Sequence, residues 1–371
     1  MRATKVIIHL DRFRGNMRFI RKKIGEKPFV CVPVKADAYG HGAVRIAQAA
    51  LEAGARYLAV ATVAEGAELR AAGISAPVLL LSIPFPSELS DMAALRLTPL
   101  IGDRDMARAV AEAAQQVGET LPVHLKIDTG MGRIGCRPEE AAQLAAYIAS
   151  FSSLEYAGTA THLSVADSLI PEDIRYTKKQ LVFFTEALKS VIGAGFDPGV
   201  VHAANSGAIL LHEDACFDMV RPGILLYGYT PVEKLERETF AIQPVMELST
   251  NIVLIKTVRK GEALSYGRTW TAMEDTRIAT IPIGYGDGLS RQLSGKHSVR
   301  IQCRAYALAG RICMDQSMVD LGDDPAIKRW DEVTVFGGKA DSAADLAAKL
   351  NTIPYEITCN INKRVPRVYQ D

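Results

Sequence analysis

The feature that most limits the fold is a regular alternation of short apolar, β-prone runs with helix-like patterns between residues 29 and 221. The predicted strands are residues 29–35, 57–61, 78–81, 98–101, 123–128, 156–162, 201–203 and 218–221. Helical patterns separate most of them, at residues 43–53, 64–72, 87–95, 105–116, 139–149 and 172–194. Strands that alternate with helices form parallel sheets, so these eight units predict an α/β fold with an N-terminal (β/α)8 TIM-type barrel.

The alternation stops around residues 231–239. Beyond them, residues 245–258, 278–284, 299–308, 317–321 and 332–336 are strand-like, and a single helical pattern at 342–350 interrupts them. This pattern predicts a C-terminal, mostly antiparallel β domain. We therefore expect a barrel domain at residues 1–235 and a β domain at 236–371, and a first strand at residues 5–10 can pair with the C-terminal domain.

The composition excludes several classes of partner. The chain has 371 residues, 48% of them hydrophobic, and a net charge of +1, so no electrostatic field favours nucleic acid or an acidic membrane. Six cysteines form no C-x-x-C pair, and no spacing indicates a zinc or other metal site. No signal peptide and no membrane-length apolar segment is present in the sequence. We expect a cytoplasmic protein with reduced thiols.

The first predicted strand ends in Lys35, and Tyr39 follows just before Gly40-His41-Gly42. A lysine at the end of a buried strand has two explanations. Its stem can pack on the sheet while its ammonium reaches solvent. Alternatively, its amine can form a Schiff base with a carbonyl, most familiarly that of pyridoxal phosphate. The glycines allow backbone amides to approach a phosphate group, which fits the second explanation.

Other polar residues fall at the same end of the predicted barrel. They are Lys126, Asp128 and Arg133 around strand five, His162 at the end of strand six, Asn205-Ser206-Gly207 after strand seven, and Arg221-Pro222-Gly223-Ile224 around strand eight. Active sites of such barrels form at the carboxyl ends of the strands, and phosphate often binds after strands seven and eight. Each residue alone is typical of a loop, but together they predict a site with a phosphate cradle at Ser206, Gly207, Gly223 and Ile224.

The segment Lys35-Ala36-Asp37-Ala38-Tyr39-Gly40-His41-Gly42 resembles the signature of the alanine racemases. Further similar motifs cover nearly the whole chain, at residues 124–133, 202–206, 220–224, 265–267, 284–288, 313–316 and 355–356. Two positions depart from the family pattern. Pro33 stands where a small aliphatic residue is more common, and Leu163 stands where phenylalanine usually follows the histidine.

The resemblance implies a pyridoxal-phosphate enzyme that interconverts L-alanine and D-alanine, an isomerase that supplies D-alanine for peptidoglycan. Lys35 would carry the cofactor and act as one base, and Tyr266 would be the base on the opposite face of the substrate. Because a tyrosine hydroxyl is a weak acid, Tyr266 needs a cationic hydrogen-bonded chain, which His162 and Arg221 could form. The implied cofactor-binding residues are Lys35, Tyr39, His162, Asn205, Ser206, Arg221, Gly223, Ile224 and Tyr355.

In similar racemases the arginine that matches Arg221 faces the pyridine nitrogen of the cofactor. Arg133 and the backbone amide of Met314 would bind the substrate carboxylate, and Lys126 would be carbamylated so that it orients Arg133. The resemblance also implies a homodimer with shared active sites.

Two other functions fit parts of the pattern. A basic amino-acid decarboxylase shares this domain pair, but such enzymes place an acid where Arg221 stands. A pyridoxal-phosphate carrier would need only the barrel and would leave Tyr266 unexplained. The bulky Tyr285 and Tyr355 favour alanine over serine as substrate, and both far over lysine.

Overall fold

A computed structural model of the chain describes residues 2–232 and 241–371. The described residues divide into two compact units. We call the one within Phe13–Ala38 and Ala43–Ile242 the barrel unit, and the one within Met1–Arg12, Tyr39–Gly42 and Gln243–Asp371 the β unit. The expected domain boundary between residues 235 and 236 lies outside the described residues. No described helix has both the length and the apolar character that a membrane crossing needs.

The chain begins with strand β1 (Lys5–His9) and helix α1 (Leu10–Ile24). The barrel strands that follow are β2 (Phe29–Pro33), β3 (Tyr57–Val60), β4 (Val78–Leu80), β5 (Thr98–Ile101), β6 (Leu121–Lys126), β7 (Leu154–Ala160), β8 (Val200–His202) and β9 (Met219–Val220). They form one parallel sheet in the order β8-β7-β6-β5-β4-β3-β2-β9. Arg221 N–H donates to the Ala204 carbonyl at 2.9 Å beside the gap between β8 and β9, so the barrel is nearly closed. The predicted eight-stranded TIM-type barrel is confirmed.

Helices follow most of the barrel strands. They are α2 (Lys35–Gly40), α3 (Ala43–Glu52), α4 (Val63–Ala71), α5 (Leu89–Ala94), α6 (Arg104–Val117), α7 (Ala141–Ala149), α8 (Pro171–Gly193) and α9 (Ser206–Leu211). Sequence periodicity indicated all of them except α2 and α9, which are each only six residues long. Such short helices have too few turns to show a 3.6-residue pattern.

Pro33 fits its strand because of the direction in which its backbone nitrogen points. Val34 N–H donates to the Ala59 carbonyl of β3 at 2.8 Å. Since successive N–H groups alternate sides along a strand, the nitrogen of Pro33 points toward β9. The last residue of β9 is Val220, and it pairs with Val30. The missing N–H of Pro33 therefore removes no bond from the described ladder.

The β unit contains strands from both ends of the chain. They are β1, β10 (Met246–Asn251), β11 (Leu254–Val258), β12 (Ala263–Leu264), β13 (Trp270–Thr271), β14 (Thr276–Ile281), β15 (Ser298–Ile301), β16 (Arg304–Ala309), β17 (Ser317–Gly322), β18 (Glu332–Phe336) and β19 (Arg367–Gln370). Nine of them form a sheet in the order β11-β14-β17-β16-β15-β18-β10-β1-β19, in which only β1 and β19 pair in parallel. The predicted, mostly antiparallel β domain is confirmed.

Two helices accompany these strands, α10 (Ala343–Leu350) and α11 (Pro354–Cys359). The helical pattern predicted at residues 342–350 corresponds to α10, which Ser342 caps through a capping box with Asp345. The sequence pattern did not predict α11 or β19. Both are short, and β19 is held by its parallel pairing with β1, which lies more than 350 residues away in the chain.

Candidate active site

Lys35 is the first residue of α2, whose backbone does not have the usual right-handed helical conformation. It lies two residues beyond the end of β2, so the predicted strand end at Lys35 is wrong by two residues. From Ala36 to Tyr39 the φ angles are 52°, 53°, 52° and 56°, which makes α2 a left-handed helical turn. Left-handed helix costs an L-residue about 1–2 kcal/mol. Interactions from outside α2 must therefore hold it.

Three hydrogen bonds around α2 are well formed. Ala36 N–H donates to Glu65 Oε1 of α4 at 2.7 Å. Ala38 N–H donates to the Val34 carbonyl at 2.8 Å, and Ala43 N–H donates to the Asp37 carboxylate at 2.8 Å. The entrance and the exit of the turn are thus both tied to neighbouring elements by acidic side chains.

Lys126 is the last residue of β6, and its side chain is buried. Its ammonium donates to the Ile127 carbonyl at 3.1 Å. Burial lowers the pKa of Lys126 to about 7, and the positive charges of Arg221 and Arg133 contribute in the same direction. A substantial share of this amine is therefore neutral near neutral pH, which is the reactive form of a lysine.

Arg133 lies on a compact loop that closes back on β6. Cys136 N–H donates to the Lys126 carbonyl at 3.0 Å, and Asp128 N–H donates to the Cys136 carbonyl at 2.8 Å. Gly135 has a φ of 122°, and a Cβ there would lie 2.7 Å from the Asp128 nitrogen, so the closure needs glycine. The loop presents Arg133 with an exposed side chain.

Arg221 is a buried guanidinium at the end of β9. Its Nη2 donates to the carbonyls of Thr161 at 2.8 Å and Ala203 at 3.1 Å, and Nη1 donates to Nδ1 of His202. Burial lowers the pKa of Arg221 to about 10. Within the described part of the chain no carboxylate pairs with it, so its charge is balanced only by carbonyl and imidazole dipoles.

Two histidines extend this arrangement into the barrel interior. Because arginine only donates, His202 accepts at Nδ1 and carries its proton on Nε2. That N–H then donates to Nδ1 of His124 at 2.8 Å. Burial lowers the pKa of His124 to about 3 and that of His202 well below its usual value, with the Arg221 charge adding to both, so both rings are neutral. His124 Nε2 has no partner among the described residues.

His162 follows β7, and its Nδ1 lies 3.4 Å from Nη2 of Arg221. Burial lowers its pKa well below the usual value, and the charges of Arg221, Lys126, Arg133 and Lys35 act in the same direction. The ring is therefore neutral and can accept a hydrogen bond from the guanidinium.

The loops after β8 and β9 are joined by one hydroxyl. Ser206 Oγ accepts from Gly223 N–H at 2.8 Å and from Leu225 N–H at 3.3 Å. The Asn205 side chain caps α9 by accepting from Ala208 N–H at 3.0 Å. The first N–H groups of a helical turn have no acceptor within it. Those of Ser206 and Gly207 in α9, and of Ile224 in the next turn, have no acceptor among the described residues.

The remaining predicted site residues belong to the β unit. Tyr266 begins a short 3-10 turn after Ser265, and its side chain is 70% exposed. Met314 is 53% exposed. Its carbonyl accepts from Gly286 N–H at 2.9 Å, which links it to the turn that carries Tyr285.

A buried carboxylate supports this pair of turns. Asp287 contacts Arg2 at 2.6 Å and Arg364 at 2.7 Å and accepts from Gly284 N–H at 3.0 Å. Arg364 also contacts Asp315, the neighbour of Met314, at 2.8 Å. Arg364 thus connects the turn that contains Asp287 to the segment that contains Met314 and Asp315.

Tyr39 and Tyr355 are neighbours in the β unit, with ring centroids 5.8 Å apart. Tyr39 is buried, and burial raises the pKa of its hydroxyl, with a further contribution from Tyr355. These two predicted residues therefore lie together, as Arg221 and His162 do in the barrel unit.

The sequence analysis did not single out Glu65, His124 or His202 as site residues. Thr62-x-x-Glu65 is a capping-box pattern, which is a signal for the start of a helix and not for a partner of α2. The two histidines stand in buried strands among apolar neighbours, and only the barrel geometry shows that their rings meet.

Comparison with known proteins gives a family for this arrangement. The model for "Alanine racemase, N-terminal domain" matches residues 8–231, and that for "Alanine racemase, C-terminal domain" matches residues 245–369. An alanine racemase of Treponema denticola is 49% identical over 377 residues, covering 100% of this chain and 99% of the relative. One from Treponema pallidum is 45% identical and covers 100% of each chain.

Solved structures agree. An alanine racemase of Clostridium difficile superposes with a TM-score of 0.95 at 37% identity, over 100% of this chain and 96% of that one. One from Bacillus anthracis, with bound L-Ala-P, has a TM-score of 0.93 at 34% identity and the same coverage. Both family models, the relatives that match over the full chain and the solved structures are all alanine racemases. The chain therefore belongs to the alanine racemase family of isomerases.

Proposed function

We propose that this chain interconverts L-alanine and D-alanine with pyridoxal phosphate carried by Lys35, and that its D-alanine serves peptidoglycan synthesis. The observation that carries the proposal is the full-length similarity to alanine racemases, which spans the barrel unit with Lys35 and the β unit with Tyr266. We place the reaction in the cytoplasm, since all six cysteines are free, which fits a reducing compartment.

The residues of the barrel unit suit this cofactor. Backbone N–H groups of Ser206, Gly207 and Ile224, together with the Ser206 hydroxyl, are the type of donors that bind a phosphate. The buried Arg221 keeps donors for a ring nitrogen, because a guanidinium does not give up its proton. We propose that His162, Asn205 and Gly223 hold this arrangement in place and that Tyr39 and Tyr355 complete the phosphate site.

Pyridoxal phosphate, when bound, supplies an electron sink for cleavage of the Cα–H bond of an amino acid. Inversion at Cα then requires a group that accepts the proton on one face of the substrate and a group that donates a proton on the other face. We propose that the Lys35 amine exchanges the proton on one face and the Tyr266 hydroxyl on the other. The neutral ring of His162, which lies beside Arg221, would connect that arginine to the Tyr266 hydroxyl through hydrogen bonds.

We propose that the substrate carboxylate is bound by Arg133 and by the backbone N–H of Met314. Carbamylation of Lys126 would convert a buried amine into an anion that orients Arg133. The lowered pKa of Lys126, about 7, supports this, because only the neutral amine reacts with carbon dioxide. Tyr285 and Tyr355 would narrow the site and favour the methyl side chain of alanine over larger ones.

We further propose that the enzyme is a homodimer in which each site combines the barrel unit of one subunit with Tyr266 and Met314 of the other. The exposed side chains of Tyr266 and Met314 support this, because both are available in the single chain for contact with a second copy.

The direct test is incubation of the enzyme and pyridoxal phosphate with L-alanine in D₂O. We expect D-alanine to form with deuterium at Cα, and we expect no carbon dioxide release. The matched control is Lys35→Ala, which should lose nearly all turnover and should not be labelled on the chain by borohydride. Carbon dioxide release, or interconversion without solvent deuterium, would contradict the proposal.

A further inference from the structure

We propose that Glu65 is a positioning residue for Lys35 and holds the left-handed turn in which that lysine stands. This inference rests on the proposed function, in which Lys35 carries the cofactor. Glu65 would not touch the cofactor or the substrate. It would act through the backbone of α2 and would thereby fix the direction in which the Lys35 side chain points.

The Glu65 carboxylate accepts three backbone hydrogen bonds. Oε1 accepts from Ala36 N–H at 2.7 Å, and Oε2 accepts from Ala61 N–H at 2.7 Å and Thr62 N–H at 3.2 Å. The carboxylate therefore ties α2 to the segment that follows β3. Hydrogen bonds to an ionised acceptor are stronger than those between neutral groups, which suits a group that must hold a strained backbone.

Two other glutamates in the barrel unit show what a simple helix-start role looks like. Glu88 and Glu140 also stand at the third position of a helical turn in a capping box. Among the described residues, Glu88 accepts only from Phe85 N–H, at 2.8 Å, and Glu140 only from Arg137 N–H, at 2.9 Å. The bonds from Glu65 to Ala36 and Ala61 thus exceed what capping of α4 requires.

The turn itself supplies little of its own stability. None of the four residues with φ between 52° and 56° is glycine, and each carries a Cβ that opposes this backbone conformation. Ala36 is exposed, so packing of its methyl group offsets little of the strain of this backbone conformation. The Glu65 bond to Ala36 acts on the residue that directly follows Lys35, where a change of hand would redirect the lysine.

The test uses Glu65→Gln, which keeps the size of the side chain but turns one acceptor oxygen into an N–H donor. Each protein is exposed to pyridoxal phosphate, reduced with borohydride at timed intervals and mapped for labelled Lys35. We expect Glu65→Gln to capture the cofactor at Lys35 at least tenfold more slowly than wild type. The matched control is Glu88→Gln, which removes a capping-box carboxylate far from α2 in sequence and should capture at the wild-type rate.

A second-site variant separates positioning from general stability. Glycine adopts positive φ without strain, so Ala36→Gly added to Glu65→Gln should bring the capture rate back to within about threefold of wild type. Because relief of strain at Ala36 also raises overall stability, urea unfolding first establishes that all the compared proteins are fully folded under the capture conditions, so that a rate difference reports the position of Lys35.

The outcomes are distinct. If wild type is labelled at Lys35 and Glu65→Gln captures at the same rate, the inference is wrong and the proposed function stands. If Glu65→Gln is slow but Ala36→Gly gives no recovery, Glu65 does not act through the hand of the turn and the inference is also wrong. If wild type is labelled only at another lysine, both the proposed function and the inference fail.

Discussion

Arg221 shows how a single buried charge can be kept without an opposite charge. Two carbonyls and the neutral imidazole of His202 accept hydrogen bonds from some of its five N–H groups, and burial brings its pKa down only to about 10. The side chain therefore stays protonated across the physiological range. An acceptor atom facing it would receive a hydrogen bond but not a proton, and this distinguishes the site from one with an acid at that position.

Lys126 gives a prediction at the same scale. Its neutral amine should react with carbon dioxide to form a carbamate, with release of one proton. Because the pKa is lowered to about 7, the neutral fraction rises as pH increases through that value. We expect a ¹³C NMR carbamate signal from protein in ¹³C-bicarbonate, stronger at about pH 8 than at about pH 6.

The control for this experiment is Lys126→Gln, which removes this amine and leaves every other amine in place. The carbamate signal should be absent from this variant. An equal signal in both proteins would assign the carbamate to another amine and would contradict the proposed role of Lys126.

At the scale of elements, the strand and helix pattern predicted the barrel well because its signals are local. Each strand is a short apolar run, and α6 begins where Asp103 accepts from Met106 N–H and ends at Gly118 with a φ of 71°. The left-handed α2 could not be predicted in this way. Its residues have no preference for positive φ, and partners such as Glu65, distant in sequence, impose it.

The candidate active site shows the same contrast between local sequence signals and contacts distant in sequence. The resemblance placed Lys35, Arg221 and His162 by motif, and the fold brings Arg221 and His162 to within 3.4 Å. The link from His202 to His124 was not predicted, because β6 and β8 are not neighbouring strands and β7 lies between them in the sheet. Sequence motifs identify which residues belong to a site more readily than which of their atoms touch.

Asp287 gives a prediction for the turns that carry Tyr285 and Met314. Burial alone would raise its pKa, but hydrogen bonds from Arg2, Gly284 and Arg364 lower it overall. An aspartate in an unfolded chain has a pKa of about 3.9, so this stabilisation is complete above that value and is lost as pH falls through the lower pKa of the folded state. We expect Asp287→Asn to reduce the free energy of unfolding by about 1–3 kcal/mol at pH 7.

Urea unfolding of wild type and variant at several pH values checks this. The difference should be constant from pH 7 to about pH 5 and shrink below about pH 4. The matched control is Asp315→Asn, which removes the exposed partner of the same arginine and should cost at most about 1 kcal/mol. A difference that does not change with pH would show that the charge of Asp287 contributes nothing.

At the scale of the whole molecule, the two ends of the chain meet in one sheet. β1 lies between β10 and β19, with Val6 beside Arg367 in parallel and beside Leu248 in antiparallel register. In chain order the barrel unit thus lies between the first and last segments of the β unit and is interrupted only by the short segment Tyr39–Gly42. Pairings of such large sequence separation slow folding, and the nine-stranded sheet cannot be completed before the last strand of the chain is available.

The oligomeric assembly also determines whether one chain or two chains form each active site. Lys35 belongs to the barrel unit, and Tyr266 and Met314 belong to the β unit. In a closed two-fold dimer that shares its sites, each subunit gives its barrel unit to one site and Tyr266 and Met314 to the other. Two inactive variants, Lys35→Ala and Tyr266→Phe, would then complement each other when mixed.

A hybrid dimer of these variants would contain one site with both lesions and one with neither. Random exchange at equal mixing makes about half of the dimers hybrids, each with one intact site, so activity should approach about a quarter of wild type. Racemisation after subunit exchange measures this, and dimers cross-linked before mixing are the control that should stay inactive. If labelled subunits are shown to exchange and activity does not return, the shared site is wrong, because Lys35 and Tyr266 would then act within one chain or not together.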